Sequence, residues 1–161
     1  MLRKLTVLVL LLTVSGLAQS KKNTTDVPSA TLMQKILDAW TSGDFSNAAP
    51  FYDKAPDDVF YDITPLAYTG WESYIHGVPA ALAGVASVKF TVNEDAKIHR
   101  DGRWAWGTAT WSLNGKMKDG NALELTGRWT CIWQNKGGKW LIVHEHLSVP
   151  WVPEQGDMRN K

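Results

Sequence analysis

From Val85 onward, apolar and polar residues alternate with a period of two, and the run is broken by Asp101-Gly102, Asn114-Gly115, Asp119-Gly120 and Gly137-Gly138. Alternation of this kind predicts strands with one face in a core, and the glycine dipeptides predict the tight turns that join antiparallel neighbours. The expected product is a meander of four long strands. Such a sheet needs a cover for its apolar face, and the residues before it supply one. Leu32, Ile36, Leu37 and Trp40 recur at helical spacing behind Ser29 or Thr31 as a cap, and Gly43 ends the run. Asp44 to Tyr52 predicts a second short helix, with Asp44 as cap and Phe45, Ala48, Ala49 and Phe51 on its apolar side. Val59 to Ile63 reads as a short strand, and Trp71 to Leu82 as a third helix weakened by Gly77 and Pro79. Helices followed by a twisted sheet define an α+β layout in which the sheet can curl around a cavity.

The chain of 161 residues has room for one such domain. Residues 1–20 read as an export signal: Arg3 and Lys4 precede an aliphatic run from Leu5 to Val14, and small residues follow it. Residues 21–28 are a polar lead-in, the domain spans 29–153, and 154–161 form a tail. The expected location is secreted or periplasmic, with no membrane attachment after cleavage. Loss of Arg3 and Lys4 changes 17 basic against 16 acidic residues into 15 against 16, a net charge of −1. That balance offers no electrostatic grip on a nucleic acid. The single cysteine, Cys131, cannot form an intrachain disulfide or a thiolate metal cluster, and it is expected to be buried. No glycine-rich loop links a strand to a helix, so no nucleotide cofactor is expected. Ser148 lacks a strand-turn-helix elbow and does not read as a hydrolase nucleophile.

The last hairpin permits a register. If Gln134 pairs with Lys139 across the loop Asn135-Lys-Gly-Gly138, then Trp129, Cys131 and Trp133 share a face with Trp140, Ile142, His144, His146 and Ser148. Trp129 is then opposite His144, and Trp133 opposite Trp140. The other face places Arg128 opposite Glu145, an expected cross-strand ion pair. Apolar residues on both faces imply a second layer over the outer one, such as another subunit.

The stretches Gly127-Arg-Trp-Thr-Cys-Ile-Trp133 and Gly138-Lys-Trp-Leu-Ile-Val-His-Glu-His-Leu-Ser-Val-Pro150 resemble the end of the SnoaL-like proteins, ketosteroid-isomerase homologues of the NTF2-like superfamily. Asp62-Ile-Thr-Pro65 followed by Gly70 resembles the first strand and loop of that group. The spacing of Trp133, Trp140, His144, His146 and Ser148 is also similar to the association domain of calmodulin-dependent kinases. The resemblance implies a cone: three helices held by a curved, mainly antiparallel sheet, a pocket at the open end, and commonly a homodimer across the sheet. It implies a small, largely apolar ligand and does not fix a reaction. Ketosteroid isomerase proper uses a tyrosine, a protonated aspartic acid and an aspartate base. Here the first helix has no tyrosine, and Asp95, Asp101 and Asp119 fall at turns or edges.

The expected catalytic group is therefore His144 and His146 with Asp62, an imidazole moving a proton beside a carbonyl while the carboxylate acts as base or fixes the tautomer. Tyr74, Trp104, Trp106 and Trp129 are the expected ligand-binding residues. Each has a purely structural alternative: the histidines could secure the sheet's edge, Asp62 could cap a turn, and the tryptophans could be ordinary core. His144, His146 and Asp62 could also ligate a metal, but the chain lacks the clustered donors of a dedicated site, and none is expected. His99 is expected in solvent beside a turn, and His76 at the end of the third helix. Isomerase, dehydratase or cyclase chemistry stands against a catalytically inert binding or dimeric assembly module.

Overall fold

The computed structural model describes residues 27–151. The expected signal at 1–20, most of the lead-in and the tail at 154–161 lie outside them. Among the described residues no helix is long and apolar enough to cross a membrane.

Helix α1, Ala30–Trp40, begins where Ser29 leaves helical geometry and its hydroxyl accepts the Leu32 N–H at 3.1 Å. Leu32, Met33, Ile36, Leu37 and Trp40 form its buried face. Because Ser29 satisfies one of the orphan donors of the first turn, Ser29→Ala is expected to lower stability by about 1 kcal/mol. A urea unfolding curve checks this, and an unchanged midpoint would show that the cap contributes nothing. The second predicted helix is a 3-10 segment, Phe45–Phe51, whose Asp44 side chain accepts the Ser46 N–H at 3.0 Å. Pro50 inside it prevents a regular α-helical ladder. Helix α2, Trp71–Ala81, buries Trp71, Tyr74 and Val78.

Among the described residues seven strands form one sheet: β1 Val59–Tyr61, β2 Tyr68–Thr69, β3 Val85–Val92, β4 Lys97–Asp101, β5 Trp104–Met117, β6 Ala122–Lys136 and β7 Lys139–Ser148. The order is β2-β1-β7-β6-β5-β3, with β4 also on β5. All neighbours are antiparallel except β1 and β7. The α+β class holds, with five strands after Val85 rather than four. The extra strand arises because the chain turns at Asn93–Ala96, so that β3 and β4 pair with different halves of β5.

Asn114-Gly115 is not a hairpin. Both residues lie inside β5, and the turn falls at Lys118 to Asn121 around Gly120. A Cβ on Gly115 would collide with the Ser87 carbonyl where the β3 ladder shifts between Val85 and Ser87, so this glycine serves a close backbone approach.

The last hairpin also departs from expectation, in two ways. Its loop is Gly137-Gly138 alone, with φ of 62° and 87°, and Lys136 pairs with Lys139. This is the two-residue turn that glycine makes accessible. The ladder then shifts between Ile132 and Trp133, which face His144 and Ile142, leaving Val143 as an extra residue. Parity is right as far as Ile142 and inverted beyond it. Trp129 pairs with Leu147, Trp133 with Ile142, and Arg128 with Ser148, so the expected Arg128–Glu145 ion pair does not exist. Glu145 is opposite Cys131 and points into the core at 1% exposure.

Candidate functional site

Between α1, α2 and the concave side of the sheet lies a cavity of about 260 Å³. Its apolar wall comes from helix residues such as Leu37 and Val78 and strand residues such as Leu113, Leu125 and Leu147. Its polar groups are Asp62, Thr64, Thr41, Glu145 and the hydroxyls of Tyr52 and Tyr74.

Glu145 is the focus of this polar region. Oε1 accepts the Tyr74 hydroxyl at 2.6 Å and the Tyr52 hydroxyl at 2.8 Å, and Oε2 accepts the Trp129 indole N–H at 2.9 Å. Tyr52 is itself held by the Trp40 indole N–H, which donates to its oxygen at 2.8 Å. Tyr52 stacks on Trp71 with centroids 5.0 Å apart, and Phe60 stacks on Tyr74 at 4.7 Å. The rings that supply the donors are thus locked by packing.

A carboxylate has about four acceptor positions, and protein donors fill three of them here. The remaining position on Oε2 can carry a proton without loss of any of the three bonds. Burial pushes the Glu145 carboxyl up to about 7; the Tyr74, Tyr52 and Trp129 hydrogen bonds pull the other way, and the nearby Asp62 charge adds to the rise. Near neutral pH the group is poised between acid and base. Burial and then the Glu145 charge hold both tyrosines well above the usual phenol range, so they remain donors.

Asp62 also lines the cavity. Its Oδ1 accepts the Ile63 N–H at 2.7 Å, the turn-capping bond expected as its structural alternative. Burial raises its carboxyl, opposed by that backbone bond. Asp62 and Tyr74 thus both line the cavity.

The other expected site residues lie elsewhere. Trp129 is buried behind Glu145 as a hydrogen-bond donor rather than among the residues lining the cavity. His144 and His146 are on the opposite side of β7, because Val143 interrupts the alternation. His144 Nδ1 lies 2.7 Å from the Val59 carbonyl, and both imidazoles meet the Tyr61 ring edge-on at 5.5 Å. His144 thus bonds to backbone, as in its structural alternative, although β7 lies between β1 and β6 rather than at the sheet's edge, and neither imidazole is among the cavity-lining groups. Trp104 and Trp106 are also on the outer face, 41% and 44% exposed. His99 is exposed beside the Asp101-Gly102 turn, as expected, and stacks on the exposed Trp106 at 5.3 Å. His76 lies within α2, 3.7 Å from Glu72. Cys131 is buried, and burial pushes its thiol well up. Among the described residues no three His, Cys, Asp or Glu side chains gather as a metal site would require.

Several solved structures share this architecture. An NTF2-like superfamily protein from Salmonella enterica is 18% identical with a TM-score of 0.68, covering 80% of this chain and 95% of its own. An NTF2-like protein of unknown function from Pseudomonas putida is 21% identical with a TM-score of 0.64, covering 77% and 85%. The association domain of Caenorhabditis elegans CaMKII is 20% identical with a TM-score of 0.59, covering 74% and 91%. No curated protein matches the chain by sequence. Residues 30–152 match the model of the SnoaL-like domain, and with the cone, its cavity and these structural neighbours in place, the chain belongs to the SnoaL-like family of NTF2-like proteins.

Proposed function

We propose that this protein is exported and binds a small, largely apolar molecule in the cone, where Asp62 and Glu145 move a proton on it. The observation that carries the reading is a buried carboxyl balanced near neutrality in an apolar cavity, with a second carboxyl close enough to influence it. Two acids in different environments are a common arrangement for acid–base turnover. Asp62, held by one backbone bond, takes the base role. Glu145 in its neutral form donates the proton on Oε2, while Tyr52, Tyr74 and Trp129 keep the carboxyl in place. This chemistry suits isomerisation or elimination at a carbon beside an electron-withdrawing group. The volume of about 260 Å³ lies below the usual range for drug-sized ligands and favours a compact substrate.

Small carbonyl compounds incubated with the protein in deuterated water provide the test, read by proton NMR. A compound that binds is expected to exchange the hydrogen beside its carbonyl, with Asp62→Asn slowing exchange by about 10²–10⁴-fold. Binding without exchange for every compound that binds would contradict the catalytic part.

A second reading, a dimeric assembly module, is favoured by the exposed Tyr61, Trp104 and Trp106 on the outer sheet face. The likeness to a kinase association domain also supports it. The two readings use opposite faces of the sheet and are compatible.

A further inference from the structure

The cavity has an unusual charge inventory. Asp62 and Glu145 line it, and none of its lining side chains among the described residues is Lys, Arg or His. Among the described residues neither carboxyl is held by a basic side chain: Glu145 is bonded by two phenols and an indole, and Asp62 by a backbone amide. Buried acids are ordinarily paired with a cation, because an unpaired charge in an apolar setting costs several kcal/mol. The walls beside these acids are aromatic. Trp40, Tyr52 and Tyr74 all line the cavity, with Trp40 and Tyr74 centroids 5.0 Å apart and Trp40 and Tyr52 centroids 5.7 Å apart. Tyr52 and Tyr74 each have one face covered, by Trp71 and Phe60, and aromatic rings beside carboxylates supply the elements of a receptor for an organic cation.

Resting on the reading of the cavity as a binding site and not on its turnover, we propose that the cavity takes a compact apolar amine, seated with its ammonium between Asp62 and ionised Glu145 and against the rings of Trp40, Tyr52 and Tyr74, in competition with the neutral, proton-donating form of that carboxyl. The apolar remainder extends toward Leu113, Leu125 and Leu147, which offer no polar partner. A ligand with a carboxylate head meets two acids and no cation, and is excluded. A neutral alcohol can hydrogen-bond but leaves the acids without a counter-charge.

The pH dependence follows from the groups around Glu145. Tyr52 follows the 3-10 segment, Tyr74 comes from α2, Cys131 from β6 and Asp62 from the segment after β1. The two phenols and the thiol are pushed up and stay neutral, so Asp62 and Glu145 are the groups that change charge below pH 8. The ammonium requires ionised Glu145. With that carboxyl at about 7, amine affinity falls about tenfold from pH 8 to pH 6.

Calorimetric titration of the purified protein with 2-phenylethylamine, 2-phenylethanol and phenylacetate at pH 6 and pH 8 tests the assignment. At pH 8 the amine is expected to bind about tenfold or more tightly than the alcohol, with no binding of phenylacetate. The amine should weaken at pH 6 while the alcohol stays constant. Glu145→Gln should remove the pH dependence, and Asp62→Asn, on a loop outside the core network, should weaken the amine selectively. Equal binding of amine and alcohol at pH 8, or preferred binding of phenylacetate, overturns the amine assignment and leaves the cavity as a ligand site. Failure of all three to bind overturns both.

Discussion

Replacing Glu145 with Ala is expected to cost about 3–5 kcal/mol of unfolding free energy, the range for removing one partner from a buried charged network. The substitution leaves the Tyr52 and Tyr74 hydroxyls and the Trp129 N–H buried with no acceptor. An orphaned buried donor costs about 1–3 kcal/mol, partly recovered here if water enters the vacated space beside the cavity. Glu145→Gln should cost less, about 1–3 kcal/mol, because its carbonyl still accepts both phenols and only the amide facing Trp129 is mismatched. Chemical denaturation of both variants gives the comparison. Equal, small losses would show that the carboxyl does not organise the surrounding rings.

The second large effect is the dependence of stability on pH. Folding raises the Glu145 carboxyl from 4.5 to about 7, so the folded state binds the proton more tightly than the unfolded chain. Its contribution is fully present below pH 4.5 and is lost as pH rises through 7. Integrated over that window the loss is about 3 kcal/mol. Asp58, raised by burial to about 6, acts with the same sign over a lower range. Asp53, lowered, acts with the opposite sign. The difference between the wild-type and Glu145→Gln curves isolates the Glu145 part. Wild type should lose stability between pH 5 and 8 while the variant loses much less, and parallel curves would contradict the burial argument.

Local features were the most legible in the sequence. Ser29 caps α1 and Asp44 caps the 3-10 segment because capping needs only the next few residues. The apolar spacing of Leu32, Ile36, Leu37 and Trp40 marks a face that is buried as expected. The resemblance of the carboxyl-terminal stretches carried the family and the cone. The site was harder to read. Counting faces from a hairpin assumes an unbroken ladder, and one extra residue, Val143, invalidates the count for everything after Ile142. That inversion turned Glu145 from an outward partner of Arg128 into the centre of the cavity's polar end, and sent His144 and His146 outside. The donors to Glu145 lie 93, 71 and 16 residues away along the chain, so no local pattern announces them. Tyr52 was legible merely as the end of a short helix. One signal was available: a glutamate surrounded by strand-forming apolar residues, in a chain with spare tyrosine and tryptophan donors and few buried bases, is a candidate for an inward-facing acid.

The same bulge divides the molecule's chemistry. Inward of it are the carboxyls and apolar walls of the cone. Outward are Tyr61, His144, His146, Trp104 and Trp106, on a face suited to association. The proposed ligand site and the proposed assembly face therefore lie on opposite sides of the sheet.

The most direct measurement is the titration of the Glu145 side-chain carboxyl by carbon NMR on protein labelled at glutamate Cδ, assigned with Glu145→Gln. A midpoint near 7 is the expected result. A midpoint at the ordinary glutamate value near 4.5 would mean that the carboxyl is open to water, and the account of the cavity would fail.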